Sequence, residues 1–221
     1  MSLGDPVNDY CERTSTDWTA EPLNALSNLA FFYWAWRLWR EAGDGPPGLV
    51  RAQRALALLL ALVGAGSLVF HTLATVWGSI LDVACIGIFN VVFLVLFLRL
   101  AARWRTAWAV AGGVGFVVLD RISGALLPAD AINGSLMYLP ALIVLFALTA
   151  YARTLDARAG RGMAAAAGVF CVSLLARSVD QSLCTAWPPG THWFWHLLNA
   201  WVLYTLATAM LLCARRPAAA T

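Results

Sequence analysis

Histidine occurs three times in this 221-residue chain, at positions 71, 192 and 196. His192 and His196 are four residues apart, so on a helix they stack on one face, a spacing that lets two imidazoles share one metal ion. A third imidazole from another helix would complete a three-His site with an open position for water, the arrangement of catalytic zinc. Copper or iron would accept the same ligands, and the plain alternative is that each histidine pairs with a carboxylate or a backbone carbonyl. The run from His192 to His196 lacks the Glu of the soluble H-E-x-x-H motif, so a general base must come from elsewhere. Asp82, the sole acid between Leu73 and Leu98, is the expected base; orienting a metal-bound imidazole is its alternative role. Ser67 lies four residues before His71 on the same face, flanked by Gly64 and Gly66, which let another helix or a substrate come close; the plain expectation for it is a backbone hydrogen bond within its helix.

These residues lie in a chain that is 61% hydrophobic and 12% charged, with a mean hydropathy of +0.71. So little polar residue cannot coat a soluble globule, and about 20 apolar residues suffice for a helix to cross a bilayer. Apolar runs at 22–40, 54–76, 79–98, 104–119, 132–151, 163–183 and 192–213 predict an all-α, seven-transmembrane-helix bundle forming one domain, residues 1–221. The polar residues 1–21 form an ordered cap outside the membrane. They lack the basic start and short apolar core of a cleaved signal peptide. Breaks are expected at Gly43 to Gly48, at Pro128, at Gly160 and Gly162, and at Pro188 to Gly190.

All fifteen basic residues are arginine, which rules out a lysine Schiff base, and the net charge of +3 is topological rather than a nucleic-acid-binding patch. Twelve of the fifteen fall at the ends of spans one, three and five and at the C-terminus, whereas Arg13, Arg121 and Arg177 share the other side with Asp5, Asp9, Glu12, Asp17, Glu21, Asp120, Asp130 and Asp180. The N-terminus is therefore expected outside and the C-terminus cytoplasmic. That topology brings the three histidines and Asp82 to one depth in the outer half of the bilayer. Cys11 and Cys184 also fall outside, where an oxidising compartment permits either a disulfide or two free thiols. Cys85, Cys171 and Cys213 fall within spans. The Arg-only, Ala-rich composition predicts a bacterial plasma membrane protein.

The run Gly66 to His71, the Leu81-Asp82 pair eleven residues after His71, His192-x-x-x-His196 before an aromatic-rich last helix, and the opening Asp9-Tyr10-Cys11-Glu12 followed by Glu21, Asn24, Ser27 and Asn28 together resemble the alkaline ceramidases. Those belong to a seven-helix hydrolase superfamily that includes the adiponectin and progestin receptors. The resemblance spans nearly the whole chain. It implies zinc held by His71, His192 and His196, with Ser67 and Asp82 completing the site, and hydrolysis of ceramide, or of a related N-acyl lipid, to a sphingoid base and a fatty acid. It further implies a calcium site made by Asp9, Tyr10, Glu12, Thr14 and Glu21, and a disulfide between Cys11 and Cys184. Tyr10 and Thr14 depart from the family's Trp and Asn, Val83 and Ala84 follow the Leu-Asp pair where the family often has an acid, and the loop from Cys184 to His192 is short. The reaction type therefore transfers better than the identity of the lipid. A receptor-like lipid sensor with structural zinc is the alternative, and neither reading names a protein partner.

Overall fold

The computed structural model describes residues 2–128 and 131–216, so the expectation for Asp130 lies outside the described residues. Among the described residues, eight α-helices carry the fold: α1 Pro22–Ser27, α2 Leu29–Arg40, α3 Pro47–Leu73, α4 Val76–Leu96, α5 Thr106–Leu126, α6 Leu139–Leu155, α7 Ala157–Leu183 and α8 His192–Ala214. A wide-turn π segment, Phe97–Ala101, extends α4, and a single 3₁₀ turn, Ser135–Tyr138, leads into α6. Among the described residues there is no strand, and six helices are long and apolar enough to cross a membrane.

The first expected span, 22–40, is interrupted. Ser27 Oγ donates to the Asn24 carbonyl at 2.9 Å and Asn28 Nδ2 to the same carbonyl at 2.8 Å, so side chains take an acceptor that a continuous helix would use, and α1 ends before α2 begins. A second difference concerns Gly160 and Gly162, expected in a break but lying inside α7. The break falls instead at Asp156, whose carboxylate accepts from the Ala159 amide at 2.7 Å and caps the helix four residues before Gly160. A Cβ at Gly160 would come within 2.6 Å of the Arg153 Cα, so glycine serves close packing of α7 on α6 there. α3 starts seven residues before its expected limit because Pro46 and Pro47 open the helix rather than merely ending the preceding segment.

α8 lies at the centre, packed against α7, α2, α3 and α1. Its buried residues include Trp195, Val202, Leu206 and Met210, and they meet Phe31 and Leu38 of α2, Leu60 and Val63 of α3, and Met163 and Phe170 of α7. α5 shows the opposite character: Val110, Val114, Val118, Ile122 and Leu126 are all exposed, a face suited to lipid rather than to water. The N-terminal cap is tied to the α3–α4 turn, where the Val7 amide donates to the Ala74 carbonyl at 2.8 Å and the Val76 amide to the Asp5 carbonyl at 3.1 Å. Ala74 takes the left-handed conformation (φ 42°) that closes α3, so the chain reverses directly after His71 and brings α4, with Asp82, back alongside.

Candidate metal centre

α3 contributes His71 and Ser67 from its last two turns, α4 contributes Asp82, and the first two turns of α8 contribute His192 and His196. The three histidines are buried, and one ring nitrogen of each lies within 4.8 Å of the others'. Ring centroids are 5.1 Å apart for His71 and His192 and 4.7 Å for each of the other pairs.

Hydrogen bonds settle which nitrogens face inward. Glu21 Oε2 lies 2.6 Å from His71 Nδ1, and an ionised carboxylate only accepts, so His71 carries its proton on Nδ1. Ser27 gives its one hydroxyl proton to the Asn24 carbonyl, so its oxygen, 2.7 Å from His196 Nδ1, accepts there. Both rings are thereby left with a lone pair on Nε2, the form a metal requires. His71 Nε2, His192 Nδ1 and Asp82 Oδ1 are buried without a hydrogen-bond partner among the described residues. Three such orphans in one constellation, each from a residue able to ligate or to hydrogen-bond a ligand, are what a bound cation and its water would satisfy, so the donor set fits zinc. Ser67 Oγ sits 3.3 Å from His196 Nε2 and is itself buried. The close approach around it needs glycine: a Cβ at Gly64 would lie 2.7 Å from Phe31 Cβ, and one at Gly66 3.0 Å from Cys85 Sγ.

The residues expected around calcium make contacts of their own. Glu21 is buried and bonds Arg13 and Asn24 in addition to His71. Glu12 accepts from the Leu23 and Asn24 amides at 2.6 and 2.8 Å, at the start of α1, and burial pushes its carboxyl up despite those two bonds. Asp9 holds Gln181 through its backbone carbonyl at 2.9 Å, and Thr14 is exposed. Tyr10 stacks on His192 with centroids 3.6 Å apart. Among the described residues, the histidine trio is the one group of three His, Cys, Asp or Glu side chains whose ligand atoms converge.

Two residues that sequence reasoning placed only as outer charges position the centre. Asp180 is fully buried; its Oδ1 accepts from the Thr191 and His192 amides at 2.6 and 2.9 Å, and its Oδ2 from the Cys11 amide at 3.0 Å. It thus caps α8 from another helix and ties it to the N-terminal cap. Cys11 and Cys184 form a disulfide with Cα atoms 5.0 Å apart, a covalent copy of the same tie. Arg177 lies over the rings of Tyr10, Tyr138 and Trp195 at 5.6 to 5.8 Å and donates to the Tyr10 hydroxyl at 3.3 Å, bracing the ring that covers His192. The spacing of Asp180 four residues before Cys184, on one helix face, was the available signal for the first of these.

A helical bundle of membrane-spanning character with a buried three-histidine centre, a neighbouring carboxylate and a neighbouring hydroxyl defines a class of helical proteins with a buried site able to hold a metal ion. The sequence matches the family model described as Ceramidase over residues 6–218, and the chain belongs to that family. Comparison with curated proteins returns no match. Family membership implies a hydrolase acting on amide bonds, with a lipid substrate.

Proposed function

We propose that the protein is a zinc-dependent intramembrane amidase that hydrolyses the N-acyl bond of ceramide or a related N-acyl lipid. The observation that carries this reading is the convergence of one ring nitrogen from each of three buried histidines, together with the unpartnered Asp82 oxygen. His71, His192 and His196 would hold the ion; when bound, zinc supplies Lewis-acid polarisation of the amide carbonyl and lowers the pKa of water.

The chain's own residues do the rest. Asp82 accepts a proton from the attacking water as its oxygen bonds to the carbonyl carbon, and returns that proton to the amide nitrogen as the C–N bond breaks. The products are a free amine and a fatty acid. Ser67 donates its hydroxyl hydrogen to the developing oxyanion. It is not the nucleophile, because none of the three histidines is free to act as its base. Glu21 and Ser27 keep two rings in the ligating tautomer, and Tyr10 covers the third. The acyl chain lies in the apolar cavity bounded by Phe31, Tyr138, Trp195 and Leu203, whose wall begins at Val63, Ile86 and Asn199, about one helical turn from Ser67, Asp82 and His196. The Arg-only, Ala-rich composition supports a bacterial plasma membrane, and the arginine distribution supports a centre toward the outer face with the C-terminus in the cytoplasm. Calcium is the second ion of this proposal: Asp9, Glu12 and Glu21 supply hard oxygens, with the Tyr10 carbonyl and Thr14, and Glu21 would couple the two ions through His71.

The test is metal content by mass spectrometry together with fatty-acid release from a ceramide before and after chelation. About one zinc per chain with chelator-sensitive release is expected. Zinc without release from any N-acyl lipid would transfer the reading to a lipid sensor.

A further inference from the structure

The cavity that begins about one helical turn from the metal centre contains two carboxamides in an otherwise apolar wall, Asn90 of α4 and Asn199 of α8. Asn199 is held in place: its Nδ2 donates to Ser173 Oγ at 2.9 Å, and Ser173 in turn donates to the Trp195 carbonyl at 3.3 Å. The Asn199 oxygen and the whole Asn90 carboxamide make no hydrogen bond with any described residue. Asn90 sits in an apolar stretch, from Ile86 to Leu96, where nothing else is polar. In hydrocarbon such a group has no water to turn to, so a carboxamide facing a cavity there points to an occupant that bonds it.

Position says which part of the occupant. α4 and α8 both run from the metal centre toward the opposite end of the bundle. Asn199 is three residues past His196, about 4.5 Å along the axis, and Asn90 is eight past Asp82, about 12 Å. A chain whose carbonyl carbon lies at the centre passes Asn199 near its start and reaches Asn90 well along its length. The carboxamide offers both a donor and an acceptor, which a hydroxyl satisfies together.

We propose that this cavity selects N-acyl chains bearing a hydroxyl group in mid-chain, hydrogen-bonded by Asn90, with Asn199 lining the approach. The identity of the occupant rests on the amidase reading above; the polarity of the cavity does not. Two measurements on the full-length, detergent-purified protein separate them. The first compares kcat/KM for a ceramide whose acyl chain carries a mid-chain hydroxyl, the same ceramide without it, and one hydroxylated beside the carbonyl. The mid-chain substrate is expected to lead by about tenfold, and Asn90→Leu to bring the ratio to about one. The second measures the rise in Tm produced by the free mid-chain hydroxy fatty acid against its unsubstituted counterpart, with a larger rise expected for wild type and none of that difference for Asn90→Leu. Leucine suits an apolar cavity, so this variant folds, and Asn90→Gln, which retains the carboxamide, should keep part of the preference. Turnover of all three ceramides at one rate, with equal Tm shifts, overturns the inference and leaves the amidase standing. A hydroxyl-dependent Tm shift that Asn90→Leu abolishes, without turnover of any lipid, upholds the cavity and overturns the amidase.

Discussion

Glu21 Oε2 stands 2.6 Å from His71 Nδ1, and the same carboxylate bonds Arg13 and Asn24. A residue of the N-terminal cap therefore sets the tautomer of His71, the proposed metal ligand on α3, fifty residues away in sequence. Carboxylates that receive the far N–H of a ligating imidazole raise its basicity and fix its ring, and their removal typically weakens metal binding about 10- to 100-fold. Glu21→Gln should produce a loss in that range, read by competition with a graded series of chelators, with the protein still folded. Glu21→Ala should do more, because Arg13 would then be buried without its partner, at a cost of about 3–5 kcal/mol.

Asp180 gives a prediction that separates stability from chemistry. Its carboxylate takes three backbone amides, those of Cys11, Thr191 and His192, and touches neither Ser67 nor Asp82 through a hydrogen bond. Asp180→Ala should lower Tm by the equivalent of at least about 2 kcal/mol, since buried donors are left unmade and α8 loses its cap. Zinc affinity should fall with it, because His192 sits on the first turn that Asp180 holds.

How much of this was legible in the sequence depends on whether a residue's role is set by its own helix or by a distant one. The histidines, Ser67 and Asp82 could be placed at one depth from span order and i, i+4 spacing, and apolar length marked the spans. Glu21 could not be assigned to His71, because that contact depends on α1 breaking from α2 at Asn28 and turning the cap inward, a break made by side-chain bonds from Ser27 and Asn28 that hydropathy does not register. Asp180 read as one more acid on the outer face for the same reason. The Gly160 and Gly162 pair misled in the opposite direction: both lie inside α7, and at Gly160 glycine permits packing against Arg153 rather than a loop.

The disulfide leads to a third prediction. Cys11 and Cys184 are 173 residues apart and join the cap to the loop before α8. Replacing both by serine should cost about 2–5 kcal/mol of stability. Reductant should act on the wild type as the double substitution does and leave the double variant unaffected, which thermal unfolding with and without reductant would check. Because Asp180 bridges the same two segments without covalent bonds, the double variant should keep measurable zinc, whereas combining it with Asp180→Ala should lose more than the sum of the separate effects.

Asp82 and Ser67 are distinguished by what remains when each is changed. Neither is needed to hold the ion if the three imidazoles are the ligands, so Asp82→Asn and Ser67→Ala should both retain about one zinc per chain. Asp82→Asn preserves shape and removes only the ability to take a proton, and the expected loss in kcat is about 10²- to 10⁴-fold, the range of a positioned general base. Ser67→Ala removes one oxyanion donor, for which a loss of about 10²- to 10³-fold is expected, in kcat more than in KM because the hydroxyl bonds a charge that exists only as the carbonyl is attacked. If Asp82 merely oriented an imidazole, its loss would appear first as weakened zinc affinity; but the orienting contacts to His71 and His196 are already made by Glu21 and Ser27. Parallel measurement of zinc affinity and kcat on Asp82→Asn therefore decides its role: full zinc with collapsed kcat identifies the base, and zinc lost in proportion to activity assigns Asp82 to holding the site together.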